Sequence, residues 1–105
     1  MPVPRPELPS AHDLAIAHLK REAITSECRA AAISLLRQRS DIGMVRYGQR
    51  LTPHNGRDTR RDAAEEAADL FAYLHAGAEE GWVTRRQLVL AQELLLSLTP
   101  SVDPA

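Results

Sequence analysis

Three carboxylates, Asp62, Glu66 and Asp69, stand at i, i+4 and i+7, and Tyr73 follows at i+11. Residues three and four apart share a helix face, so these four line one narrow stripe. Ala63, Ala67, Leu70, Phe71 and Leu74 form the neighbouring apolar stripe, while Glu65 points further outward. Acids gathered this way repel one another by roughly a few tenths of a kcal/mol per pair. Near a core margin the cost rises unless a cation or an arginine neutralises them. Mg²⁺ takes hard oxygen ligands and keeps several waters, so a few carboxylates plus substrate phosphates suffice to hold it. The plainer reading is a solvated face whose early acid complements the helix macrodipole. Asp62 can serve that role, whereas Glu66 and Asp69 lie past the first turn. From spacing alone the two readings stand level.

Upstream of this stripe runs Arg46-Tyr47-Gly48-Gln49-Arg50-Leu51-Thr52-Pro53-His54-Asn55-Gly56-Arg57-Asp58, followed by Thr59, Arg60 and Arg61. The loop ends where a helix begins, and helix N-termini attract anions. A guanidinium offers a planar fork that binds two phosphate oxygens at once. Basic groups beside acidic groups are what a triphosphate with its metal requires. The plainer reading makes Asn55-Gly56 a turn and leaves the arginines solvated or paired with Glu65 and Asp62, and for each arginine taken singly that reading is the stronger.

Four helices must position these groups. Ser10 caps a first helix over Ala11 to Ala23. A second runs from Thr25 or Ser26 to Tyr47, with Ile24, Cys28, Ala31, Leu35, Ile42 and Val45 at helical spacing and Gly48 as its stop. Asp58 or Thr59 caps a third that reaches Glu80, ended by Gly81. Thr84 caps a fourth that ends near Leu98. Leu88, Val89, Leu90, Ala91, Leu94, Leu95, Leu96 and Leu98 point almost all round that last helix, so a subunit interface is expected there. The expected organisation is a proline-rich arm at 1–10, a single helical domain at 11–99 and a tail at 100–105.

Composition agrees with an all-α class. Aromatic residues are 4% of the chain, and Ala and Leu fill the apolar positions that β-branched and aromatic residues would fill in a sheet. The net charge of -1 gives no case for nucleic acid or an acidic membrane surface as a partner. The single Cys28 cannot form an internal disulfide, no stretch is apolar enough to span a bilayer, and Met1-Pro2-Val3-Pro4-Arg5-Pro6 lacks a signal-peptide core. A cytoplasmic protein is the simplest expectation.

Tyr47-Gly48, Leu51, Asn55-Gly56-Arg57-Asp58, Asp62, Glu66-x-x-Asp69-Leu70 and Tyr73-Leu74 together resemble the small phage-type branch of the MazG-like nucleoside triphosphate pyrophosphohydrolases. The resemblance covers Arg46 to Leu74. It implies an all-α, four-helix MazG-like bundle completed by assembly into a homodimer or homotetramer. It also implies hydrolysis of a (d)NTP to its monophosphate and pyrophosphate with Mg²⁺ (or Mn²⁺), a purine deoxynucleotide such as dGTP or dATP being favoured. The family pairs a Glu-x-x-Glu on one helix with a Glu-x-x-Asp on the next. Glu66 and Asp69 match the second half, while Gln38 and Asp41 stand at the spacing of the first and supply one carboxylate. The implied metal ligands are Asp62, Glu66, Asp69 and Asp41. Glu66 or Glu65 is the implied base for the attacking water. Arg46, Arg57 and Arg61 are implied for phosphate, and Tyr47, Asn55 or His54 for base or sugar.

His12, His18, His54 and His75 show no pair at metal-ligand spacing and are expected at the surface or in packing. Cys28 is expected as a small core residue, and Trp82 as the anchor of the turn after Gly81. Against the hydrolase stands a non-catalytic helical interaction module on the same scaffold, which the single upstream carboxylate favours. A nucleic-acid-binding protein built on the arginines is disfavoured by the near-neutral charge.

Overall fold

Side-chain and glycine caps set the helix limits in the computed structural model, which describes residues 8–99. The helices are α1 (Ala11–Arg21), α2 (Ser26–Tyr47), α3 (Thr59–Glu80) and α4 (Arg85–Leu98), with no strand among the described residues. The side chains of Ser10, Thr25, Asp58 and Thr84 accept backbone N–H groups from Asp13, Cys28, Arg61 and Gln87, which answers part of each helix's unpaired first turn. Thr84 and Gln87 complete a reciprocal capping box. Gly48 and Gly81 end α2 and α3 in the left-handed region, at φ 73° and 92°, where a Cβ is penalised. Of the proline-rich arm, residues 1–7 lie outside the described residues, as does the tail at 100–105.

The chain divides into two units, Met1–Arg57 and Asp58–Ala105. In the first, α1 packs on α2, and Ile16, Ile33 and Ser40 are buried. Helix α1 stops two residues before the expected Ala23. The Arg29 guanidinium explains this, since it donates to the carbonyls of Leu19, Glu22 and Ile24 at 3.1, 2.6 and 3.1 Å and holds that segment outside the helix. The loop after α2 returns to the start of α1, where the Ala11 N–H donates to the Leu51 carbonyl at 2.8 Å. Thr52 is buried next to that link.

The face of α2 that packs is not the one expected from its apolar spacing. Ile33, Leu36, Ser40 and Gly43 are buried or half-buried, whereas Cys28, Ala31, Leu35, Ile42 and Val45 are exposed. Cys28 is therefore a surface thiol, not a core residue. Helix α2 carries apolar residues on two opposite sides, and α1 covers only one.

In the second unit α3 packs on α4, with Ala64, Ala67, Leu74, Gly77 and Ala91 buried. Phe71 is half-buried and stacks edge-on against His75 at 4.7 Å, while Ala63 and Leu70, expected on the apolar stripe, are exposed. Trp82 does anchor the turn: its indole and the Val83 side chain close so tightly on Gly77 that a Cβ there would overlap both. Helix α4 turns Leu88, Ala91, Leu95 and Leu98 inward and leaves Val89, Leu90, Leu94 and Leu96 exposed.

Candidate functional site

The acid stripe of α3 begins in the first turn, at Asp62, on a helix whose start is fixed by Asp58. The Asp58 carboxylate accepts the Arg61 N–H at 3.1 Å, and the preceding turn is held by the Asn55 side chain, which accepts the Arg57 N–H at 2.9 Å. His54 and Gly56 both adopt positive φ, so the chain reverses sharply before entering α3. The resemblance offers Asn55, with Tyr47 and His54, for base or sugar, and the plainer reading puts it in a turn; in the structure its side chain shapes this turn.

Asp62 is half-buried, whereas Glu66, Asp69 and Tyr73 are exposed along the same side of α3. The core face of the helix runs through Ala64, Ala67, Leu74 and Gly77, and Ala63 and Leu70, which lie between that face and the acids, are exposed. Glu65 lies off the stripe and accepts the Arg61 Nε–H at 3.2 Å, an exposed i,i+4 ion pair. Among the described residues no three His, Cys, Asp or Glu side chains converge on one point. The donors are nevertheless hard oxygens on one face, which suits a cation that keeps most of its own waters.

In the first unit, Asp41 is exposed and its Oδ1 accepts both Nη groups of Arg50 at 3.2 Å. Arg50 also donates to the buried Ser40 hydroxyl at 2.5 Å. Arg46 lies 6.0 Å from the centroid of the Tyr47 ring, a cation–π distance, and both side chains are exposed. A groove of about 490 Å³ runs along α2 and reaches Lys20, Arg29, Arg37, Gln38 and Asp41. Its three cations against one carboxylate, itself bonded to Arg50, leave it net positive and suited to an anion. Sequence reasoning passed over Lys20, Arg29 and Arg37. The basic i, i+8 pair at Arg29 and Arg37 was visible, but the neighbouring α1 end was not.

Comparison of the chain with known protein families, curated proteins and solved structures gives no match.

Proposed function

We propose that the protein is a metal-dependent nucleotide pyrophosphohydrolase of the MazG-like kind, converting a (d)NTP to its monophosphate and pyrophosphate. One observation carries the reading: Asp62, Glu66 and Asp69 share a side of a single capped helix, with Arg57 just before its cap and Arg60 and Arg61 in its first turn. Held by Glu66, Asp69 and Asp62, a Mg²⁺ or Mn²⁺ ion would supply charge neutralisation at the phosphates and a more acidic bound water. Glu66, placed on the stripe and exposed, is the carboxylate suited to take a proton from an attacking water, and Glu65 is the second candidate for that role. Arg57 and Arg61 oppose the charge that develops on the phosphate oxygens as pyrophosphate departs. Arg46, Tyr47 and the net positive groove of the first unit are further groups suited to an anionic nucleotide. A purine deoxynucleotide is the favoured substrate, and nucleotide metabolism in the cytoplasm the setting. The exposed Val89, Leu90, Leu94 and Leu96 of α4 support a four-helix fold completed in a homodimer or homotetramer.

The second reading, a non-catalytic interaction module, is favoured by Asp41, whose carboxylate is engaged by Arg50. Turnover separates the two. The protein is incubated with each common NTP and dNTP in Mg²⁺ or Mn²⁺, then with chelator. Monophosphate and pyrophosphate are expected only with metal, and Glu66→Ala and Asp69→Ala should each abolish them while helical circular dichroism persists. Product in chelator, or undiminished product from both variants, refutes the hydrolase.

A further inference from the structure

We infer that Asn55 is a self-modification site: in the folded chain its carboxamide is attacked by the Gly56 nitrogen, loses ammonia and reopens as aspartate or isoaspartate. Asn55 is the only asparagine of the chain, and a glycine follows it. Three features of the turn favour the reaction. Gly56 has no Cβ, so its nitrogen meets no side chain of its own residue on the way to the Asn55 Cγ. The Gly56 N–H makes no hydrogen bond among the described residues, so no acceptor holds its proton in place. The Asn55 Oδ1 accepts the Arg57 N–H at 2.9 Å, which keeps the carboxamide folded back along the Gly56 peptide. That same bond puts a donor on the one atom where negative charge develops during the attack, as an oxyanion hole does.

The steps balance with water as the sole co-reactant. Hydroxide removes the Gly56 amide proton. The nitrogen's electron pair forms a bond to Cγ and closes a five-membered imide, while the carbonyl pair moves onto Oδ1, beside the Arg57 N–H. Collapse of that oxyanion breaks the Cγ–Nδ2 bond, and Nδ2 takes a proton from water and leaves as ammonia, which restores the hydroxide. Water then opens the imide. Cleavage between Cγ and the Gly56 nitrogen gives aspartate. Cleavage between the Asn55 main-chain carbonyl carbon and that nitrogen gives isoaspartate, with the main chain rerouted through Cγ and one methylene longer. Nothing is oxidised or reduced. Either product adds a negative charge to a segment that holds Arg57, Arg60 and Arg61, and isoaspartate also lengthens the run into the Asp58 cap. The reacting atoms belong to Asn55 and Gly56 and the donor to Arg57, so none belongs to the second unit.

The modification stands apart from the hydrolase reading, because its readout is mass and not turnover. The full chain is held at mildly alkaline pH without denaturant, with helical circular dichroism followed throughout, and is then cut after its arginines. Fragment 51–57 carries the site. It should give way to a pair of isomers, each heavier by the difference between OH and NH₂, with an equal amount of ammonia released. An isoaspartyl methyltransferase identifies the isoaspartate form. Asn55→Gln should remove the ammonia, and Gly56→Ala should slow its release at least about tenfold through the added Cβ. The synthetic peptide 51–57, free of the fold, should convert no faster than the native chain. A peptide that converts faster than the native chain overturns the inference, because the fold then protects Asn55. So does ammonia release that Asn55→Gln leaves undiminished, which would place the loss at a glutamine.

Discussion

Replacing Gly77 by alanine should destabilise the second unit, although the helix alone would gain from the change. In an exposed helix interior the substitution favours the helical state by about 0.8–1 kcal/mol. Gly77 is not exposed: it is buried in the last turn of α3, and the new Cβ would overlap the Trp82 ring and a Val83 methyl. The Gly77 carbonyl also accepts the N–H groups of Gly81 and Trp82 at 2.9 and 3.1 Å, so the turn that carries the indole is tied to the same residue. Relief therefore requires swinging the indole outward and breaking its Nε1–H bond to Glu80 at 3.1 Å. Overpacking of this kind costs about 1–3 kcal/mol, which exceeds the propensity gain and leaves a net loss of about 1 kcal/mol. For a small domain that lowers Tm by roughly 4–8 °C. Thermal unfolding followed by circular dichroism measures the loss, and emission from the only tryptophan should shift to the red as the ring leaves its seat. A raised Tm with unchanged emission would show that Trp82 does not pack on Gly77.

Other substitutions probe separate links. Arg29→Ala removes three side-chain bonds to carbonyls in the last turn of α1 and just after it and should cost about 1–2 kcal/mol, read by urea unfolding, with Arg29→Lys recovering only part because it lacks the planar fork. Thr84→Ala deletes the capping box of α4 and should cost about 1 kcal/mol in the same assay.

The helix limits were legible because they are written locally. Ser10, Asp58 and Thr84 each place an oxygen within reach of a free N–H, and Gly48 and Gly81 each permit a left-handed stop. The packing faces were less legible. On α2 the spacing of Cys28, Leu35 and Ile42 describes a real stripe, but periodicity does not say which of two apolar sides meets α1. The buried contact falls instead on Ile33 and Ser40, and Ser40 is satisfied by Arg50 from the returning loop. That bond, like the Ala11–Leu51 link, joins residues distant in sequence and leaves no periodic trace. On the candidate site, the carboxylate alignment of α3 and its Asp58 cap were readable. The turn at Asn55-Gly56 and the pairing of an arginine with Glu65, at i,i+4 from Arg61, were readable as well, whereas the engagement of Asp41 by Arg50 depends on side-chain reach across the returning loop and was not.

Chromatographic separation of nucleotides after incubation with dGTP or dATP and Mn²⁺ tests the acid stripe most directly. If Asp62, Glu66 and Asp69 gather a divalent ion for phosphoanhydride cleavage, dGMP or dAMP accumulates in step with pyrophosphate, stops on chelation and vanishes in the Glu66→Ala protein. An intact triphosphate after prolonged incubation of folded protein, across all bases and both metals, contradicts that role for α3.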